Sequence, residues 1–178
     1  MRIFHISLIT AICLFSSALF AEEKISYKST ELGTSIKKFL SKNKAFSCPP
    51  SKEQLVRCMS TKETYAGFNV RKATATFIND ELSLVELPIS EGTDKTIATF
   101  QFMTIEDSLS RRFGTPRKET DNLGGLERNI RVWTTNGERI QLDHAQAKET
   151  HLVGVMLFRD NHWENAVKAH RTKSGADI

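Results

Sequence analysis

The sequence predicts an α+β protein in which short helices alternate with antiparallel strands. Two segments carry apolar residues at helical spacing, and each is followed by runs rich in Thr, Val, Ile and aromatic residues. The Asn136-Gly137 pair between two of these runs is the strongest short hairpin signal in the chain. We therefore predict two units, residues 22–103 and 104–170, in each of which helical structure is followed by an antiparallel meander. Their likeness raises the hypothesis of a structural tandem repeat.

The start of the chain has the pattern of a secretory signal peptide, residues 1–21. Arg2 precedes an apolar run at residues 6–20, and a small residue and three charged residues follow. A run of about fifteen residues is shorter than the ~20 that a membrane-spanning helix needs. Cys13 does not stand in the context of a lipoprotein acylation site. We predict a periplasmic or secreted product with no transmembrane segment in the mature chain; a cut after Ala18 is the alternative.

The two cysteines beyond this leader, Cys48 and Cys58, predict one disulfide. An oxidising compartment and an even number of thiols favour a structural bond. Nine intervening residues are too many for a CxxC redox motif, and no further thiol is available for a zinc site. The chain-entropy model gives on the order of 2–3 kcal/mol for closing a loop of about eleven residues.

The first unit is predicted to open with two helices. Leu32, Ile36, Phe39 and Leu40 stand at helical spacing after a cap at Ser29 or Thr30. A second helix is predicted over residues 51–65, where Ser51 and Gln54 form a capping box and Leu55 and Met59 an i, i+4 apolar pair.

Strands are predicted to complete the first unit. Three runs have strand composition, and a turn at residues 79–81 separates the last two; the runs are residues 64–70, 73–78 and 82–89. Residues 96–103 are predicted to be a fourth strand, because Ile97 and Phe100 lie off the apolar stripe of the helix that follows. An extension of that helix is the alternative.

The second unit begins with a helix capped by Thr104 and Asp107. Its buried stripe is Ile105, Leu109 and Phe113, and Gly114 and Pro116 end it. Four elements are predicted to follow: a long Gly-rich loop at residues 118–127, a hairpin around Asn136-Gly137, a central strand at residues 151–158, and a helix that begins at Asn161 and buries Trp163 and Val167. Residues 171–178 are predicted to be a disordered tail.

The two predicted units match weakly at the level of residues. With a shift of 54 positions, residues 51–65 align with residues 105–119, and the similar pairs are Glu53 with Asp107, Leu55 with Leu109, Arg57 with Arg111, Met59 with Phe113 and Thr61 with Thr115. Amphipathic helices resemble one another by chance, so the order of helices and strands supports a repeat better than these pairs do.

The segments LGTSIKKFL and SLSRRFGTP, each followed by strands, resemble the helix-then-meander unit of two families of small exported bacterial proteins. One family is the SmpA/OmlA (BamE-type) outer-membrane assembly lipoproteins, although this chain lacks their acylated cysteine. The other is the tandem-repeat beta-lactamase inhibitory proteins, which also carry an early disulfide. The resemblance implies a protein-binding fold without chemistry of its own.

Candidate chemistry centres on His144 and His151, which bracket a predicted turn, with Asp143 adjacent. Two imidazoles and a carboxylate could bind zinc or copper, although structural sites usually have four ligands and catalytic sites three. The alternative is a pair of exposed histidines at strand ends. No nucleophile motif such as GxSxG or SxxK is present, so we predict no enzymatic activity and no cofactor.

Candidate binding residues are Arg131 and Trp133, which share one face of a predicted strand. An exposed Trp beside an Arg has the composition of an interface hot spot, whereas a buried Trp would be part of the core. The chain has 25 Lys and Arg against 21 Asp and Glu without a dense basic block, which argues against nucleic acid. We predict a binding module for another envelope protein, an assembly factor or an inhibitor. The alternative is an envelope hydrolase or metal-dependent enzyme that uses His144 and His151.

Overall fold

The structure is a computed structural model that describes residues 24–50 and 54–159. These residues form two helices, α1 (Ile36–Lys42) and α2 (Lys95–Phe113). They also form eleven strands: β1 (Ser26–Tyr27), β2 (Thr30–Glu31), β3 (Leu55–Ser60), β4 (Thr64–Tyr65), β5 (Phe68–Asn69), β6 (Ala73–Ile78), β7 (Glu81–Gly92), β8 (Arg117–Leu123), β9 (Leu126–Thr135), β10 (Glu138–Ala147) and β11 (Thr150–Arg159). The predicted α+β class is confirmed.

Seven strands form one antiparallel sheet in the order β3-β6-β7-β11-β10-β9-β8, and two short hairpins, β1-β2 and β4-β5, lie outside it. The strands β3, β6 and β7 form one meander after α1, and β8 to β11 form a second meander after α2. The two meanders meet where β7 pairs with β11. The prediction that residues 151–158 form a central strand is therefore confirmed.

Both predicted hairpin turns are present. Asn79 and Asp80 join β6 to β7 with φ of 51° and 65°, and Asn136 and Gly137 join β9 to β10 with φ of 50° and 72°. Two-residue turns with positive φ at both positions match the twist of the strands that they connect, and Asn, Asp and Gly tolerate this conformation.

The two helices pack on the same face of the sheet, which we call the helical face. Helix α2 contacts β7, β10 and β11, and α1 contacts β7. Under α1, the ring of Phe39 meets two other rings edge-on. Its centroid lies 5.3 Å from that of Phe77 and 5.1 Å from that of Phe46.

Helix α1 is shorter than the sequence predicts. Ser35 is its N-cap and accepts a hydrogen bond from the amide of Lys38 at 3.5 Å, so the predicted caps at Ser29 and Thr30 are wrong. Ser29 has a φ of 62° in the β1-β2 turn, and Thr30 begins β2. The hairpin therefore occupies the residues that the helical spacing had suggested for a first turn.

The predicted second helix, residues 51–65, is wrong for the residues described. Leu55–Ser60 form β3, which pairs along its whole length with β6. Buried and exposed residues alternate in this strand, with Cys58 fully buried and Met59 40% exposed. Leu55 and Met59 therefore belong to a strand, because pairing with β6 and the bond at Cys58 outweigh the local helical pattern.

The strand predicted at residues 96–103 is also wrong, and the alternative of a longer helix is correct. The N-cap of α2 is Asp94, so Thr104 and Asp107 lie inside the helix rather than at its start. The predicted boundary between residues 103 and 104 consequently falls within α2.

The Gly-rich segment, residues 118–127, is not a long loop. Most of it belongs to β8 and β9, and the connection is a tight turn at Gly124 and Gly125, with φ of 62° and 85°. The residue-level match between residues 51–65 and 105–119 is wrong as well, because it pairs β3 with the end of α2.

The predicted disulfide is present and joins Cys48 to Cys58. It fastens the segment before β3 to the buried side of that strand. The predicted signal peptide, the terminal helix at Trp163 and Val167, and the tail lie outside the described residues. Within residues 24–50 and 54–159, no helix combines the length and the apolar character needed to cross a membrane.

Candidate functional site

Helix α2 has well-defined ends. The carboxylate of Asp94 accepts hydrogen bonds from the amides of Thr96 and Ile97 at 2.8 and 3.0 Å, which satisfies two of the free donors at the helix start. At the other end, the amide of Gly114 donates to the carbonyl of Ser110 at 2.9 Å, and the φ of Gly114 is 80°. The predicted end of the helix at Gly114 is confirmed.

One side of α2 is fixed to the sheet. Its buried residues are Ala98, Phe102, Ile105 and Leu109. Polar contacts flank this stripe: the hydroxyl of Ser90 donates to the side-chain oxygen of Gln101 at 2.5 Å, and Nε of Arg131 donates to Glu106 at 2.9 Å. The helix therefore has a definite orientation on β7, β9 and β10.

The outward side of α2 is apolar over its first half. Ile97, Phe100 and Met103 are 54%, 62% and 62% exposed, and the ring of Phe68 in β5 meets that of Phe100 edge-on at a centroid distance of 6.2 Å. We call these four residues the α2 patch. A surface helix normally carries polar residues on the side away from the core, and contiguous exposed apolar residues mark interaction sites.

The second half of the same outward side is polar. Asp107 and Arg111, one turn apart, form an ion pair that is largely exposed. Arg111 and Arg112 stand in the last turn, where cations oppose the helix dipole. The apolar character is thus confined to the first half of α2.

Arg131 and Trp133 do not form an exposed pair. Trp133 is 3% exposed, and its indole N–H donates to the carbonyl of Gly114 at 2.8 Å. The guanidinium of Arg131 lies over the ring of Phe102 at 5.1 Å and pairs with Glu106. The interpretation of Trp133 as a core residue is therefore correct, and an exposed hot spot at these two residues is wrong.

His144 and His151 come together as the sequence suggested. Nε2 of His144 and Nδ1 of His151 are 3.3 Å apart, across β10 and β11 on the helical face. Asp143 does not join them, because adjacent residues of a strand face opposite sides of the sheet. On the side of the sheet opposite the helices, Asp143 instead accepts two hydrogen bonds of 3.0 Å from Arg128.

The two histidines are not exposed, contrary to the alternative considered from the sequence. His151 is only 4% exposed, and the ring of His144 lies 5.7 Å from that of Phe102. Burial lowers the pKa of His144, and the positive charges of His151 and Lys95 lower it further. Among the described residues no group of three or more His, Cys, Asp and Glu side chains could hold a metal ion. The pair is therefore two ligands short of a structural zinc site and one short of a catalytic site.

We expect the free energy of unfolding to decrease as the pH falls below about 6.5, the ordinary pKa of histidine. The pKa of His144 in the folded protein lies below its ordinary value, so in the range between the two the unfolded chain binds a proton that the folded chain does not. The contribution of His144 to the free energy of unfolding is complete above the ordinary pKa of histidine, and it is lost as the pH falls toward the lower pKa of His144 in the folded protein. Urea titrations at several pH values measure it. A profile that His144→Gln leaves unchanged would contradict the assignment.

A second buried polar cluster surrounds Glu63, which the sequence did not single out. Glu63 is 4% exposed and accepts hydrogen bonds from the hydroxyl of Tyr27, from Nζ of Lys28 at 2.5 Å and from the hydroxyl of Ser60 at 3.1 Å. Burial raises the pKa of Glu63, but the hydrogen bonds from Lys28, Tyr27 and Ser60 outweigh burial and leave the pKa below its ordinary value. The cluster ties the β1-β2 hairpin to the segment after β3, which is a structural role.

A scan of protein-family models, a search of curated proteins and a search of solved structures each find no match to this chain. The resemblance to BamE-type lipoproteins and to beta-lactamase inhibitory proteins accordingly stays a prediction. The function has to be inferred from the geometry of the chain itself, and the α2 patch is the feature that the packing of the fold does not require.

Proposed function

We propose that the α2 patch binds another protein and that this protein is an exported binding module of the bacterial envelope, an assembly factor or an inhibitor. The single observation that carries the proposal is the exposure of Ile97, Phe100 and Met103, each more than half exposed, on the outward side of a helix whose other side is buried. An apolar side chain in this position costs solubility and adds nothing to the core, so its retention favours a role in binding.

The proposed partner is a protein that offers large apolar side chains with a polar rim. Phe100 stands between Ile97 and Met103, and the Asp107–Arg111 ion pair borders the patch. A central aromatic anchor with charged residues at its edge is the usual composition of a protein interface. An amphipathic helix that binds membrane surfaces carries Lys and Arg along its polar side, whereas the polar residues beside this patch have both signs.

A second copy of the chain is a poorer candidate for the partner. Four side chains expose on the order of a few hundred Å², whereas a stable interface buries roughly 800 Å² on each partner. The patch can therefore be the centre of an interface with a larger protein, but it is too small to hold a homodimer alone.

Export is part of the proposal and rests on the leader pattern at residues 1–21. The Cys48–Cys58 disulfide is compatible with an oxidising compartment. We also propose that the two helix-then-meander units are a structural tandem repeat, because each helix is followed by a meander and the last strands of the two meanders pair with each other. The rival proposal, an enzyme based on His144 and His151, is weakened by the position of Asp143 on the opposite face.

The test is a comparison of two variants in affinity capture from the native envelope. Phe100→Ser removes the centre of the patch, and Met59→Ser removes an exposed apolar side chain on β3 as the matched control. We expect a specific chain to be recovered with the unmodified protein and with Met59→Ser but lost with Phe100→Ser. With the recovered chain purified, Phe100→Ser should raise the Kd by roughly thirtyfold, which corresponds to a loss of about 2 kcal/mol of binding free energy.

Two controls make the comparison decisive. Because Phe100 is exposed, the free energy of unfolding of Phe100→Ser, measured by urea titration, should lie within about 0.5 kcal/mol of that of the unmodified protein. Sedimentation should show a monomer, and anionic vesicles should not sediment the protein. Equal recovery with both variants, or recovery of no chain at all, would overturn the proposal.

A further inference from the structure

We propose that the His144–His151 pair makes the α2 patch sensitive to acid, so that protonation of both imidazoles loosens the first half of α2 on the sheet. The importance of this coupling for binding rests on the proposed function of the patch. The coupling itself concerns only this chain and can be tested without a partner.

The geometry of the pair requires at least one neutral imidazole. The rings have a centroid distance of 5.4 Å, and Nε2 of His144 and Nδ1 of His151 are 3.3 Å apart. One of these nitrogens donates its N–H and the other must accept with a lone pair. When both rings are protonated, two donors and two positive charges face each other, so the hydrogen bond must break and the rings must separate.

The surroundings do not compensate a second positive charge. In the described part of the chain, neither histidine has a carboxylate as hydrogen-bond partner. Lys95 of α2 is the charged residue whose electrostatic effect reaches His144 besides that of His151. On the same face of β9, Arg131 lies opposite Leu142 and is already paired with Glu106, and the exposed Glu127 lies opposite Gln146, the partner of His151 in β10. Opposite the histidines, β9 places Asn129 and β7 places Gly92, neither of which carries a charge.

The pair is connected directly to the helix that carries the patch. The ring of Phe102, 6% exposed, lies 5.7 Å from that of His144, at the centre of the buried stripe of α2. Phe102 stands next to Met103 in the chain and two residues after Phe100. Since His151 is almost fully buried, the rings can separate only by moving a packed neighbour, and Phe102 is the neighbour that the structure places against His144.

Hydrogen exchange of the α2 amides tests this coupling on the purified protein. Protection factors for residues 97–105 are measured at pH 7.5 and pH 5.0 and are corrected for the intrinsic pH dependence of amide exchange. Because separation of the rings makes local opening of α2 easier, we expect protection to fall severalfold at pH 5.0 in the unmodified protein. His144→Gln, which stays neutral, should abolish this decrease.

The matched control is the double variant His162→Gln/His170→Gln, which removes the other two histidines beyond the leader and should leave the decrease intact. If His144→Gln disturbs the fold at pH 7.5, His151→Gln serves as the second variant. Equal protection of α2 at both pH values would overturn the inference, and so would a decrease that persists in both variants. Failure of the capture experiment at pH 7.5 would instead overturn the proposed function alone.

Discussion

Replacement of Glu63 by alanine should lower the free energy of unfolding by about 3 kcal/mol, one of the two largest effects that we expect in this protein. The carboxylate accepts hydrogen bonds from two buried hydroxyls, those of Tyr27 and Ser60, which are 1% and 3% exposed as residues. Each hydroxyl that loses an ionised partner and cannot reach water costs roughly 1–3 kcal/mol. Lys28 adds little, because its side chain is 46% exposed and its charge is screened by solvent.

The effect of Glu63→Ala can be separated from a simple loss of charge. Lys28→Ala removes the exposed partner of the same carboxylate and should cost no more than about 1 kcal/mol. Urea denaturation at pH 7.5 measures both variants. If Lys28→Ala were the more damaging change, the stabilisation would come from the ion pair rather than from the buried hydroxyls. The difference between Glu63→Ala and the unmodified protein should also shrink in acid, because the pKa of Glu63 is lowered and its contribution is lost as the pH falls through that value.

Loss of the Cys48–Cys58 disulfide is expected to have a similar effect, a decrease of about 2–3 kcal/mol in the free energy of unfolding. The bond closes a short loop between residues 10 positions apart. Cys58 is fully buried in β3 and belongs to the same core cluster as Phe39, Phe46 and Phe77, so the bond also holds an edge strand of the sheet in place. The double variant Cys48→Ala/Cys58→Ala, compared with the unmodified protein in urea, gives the size of the effect.

The same double variant has an internal control. In a reducing agent, the unmodified protein should lose the stability that the variant lacks, and the variant itself should not change. Intact-mass measurement of the native protein should show two hydrogens fewer than the reduced chain. A stable double variant, with a difference below about 0.5 kcal/mol, would contradict this account of the bond.

The strands of the second unit were predictable because their signals are local. Asn136 and Gly137 fix the turn, and the strands on either side carry buried apolar residues two positions apart, Ile130 and Val132 in β9 and Ile140 and Leu142 in β10. The disulfide was predictable from the number of cysteines together with the leader pattern at residues 1–21. In these places local propensity and tertiary structure agree.

Two segments were misread, each for a physical reason. Residues 55–60 carry a helical i, i+4 pair, but pairing with β6 decides their conformation. At residues 96–103, Ile97 and Phe100 lie off the buried stripe of α2. A helix whose outward side is assumed to be polar would not carry apolar residues there, so the sequence favoured a strand. They are apolar and exposed, so the feature that misled the prediction is the α2 patch itself.

The candidate site was predictable only in part. The separation of His144 and His151 around a turn predicted their proximity, and the structure confirms it. Their burial under Phe102 depends on where α2 crosses the sheet, and no sequence pattern gives that position. The cluster at Glu63 joins residues 36 positions apart and leaves no local signal.

The position of β11 in the sheet has a consequence for the order of folding. It lies between β7 and β10, although it is the last strand of the described chain to be synthesised. Until residues 150–159 are present, the two meanders have no shared border, and each exposes the edge that β11 later covers. Such long-range closure is slow in proteins, and the seven-stranded sheet cannot be completed until β11 is available.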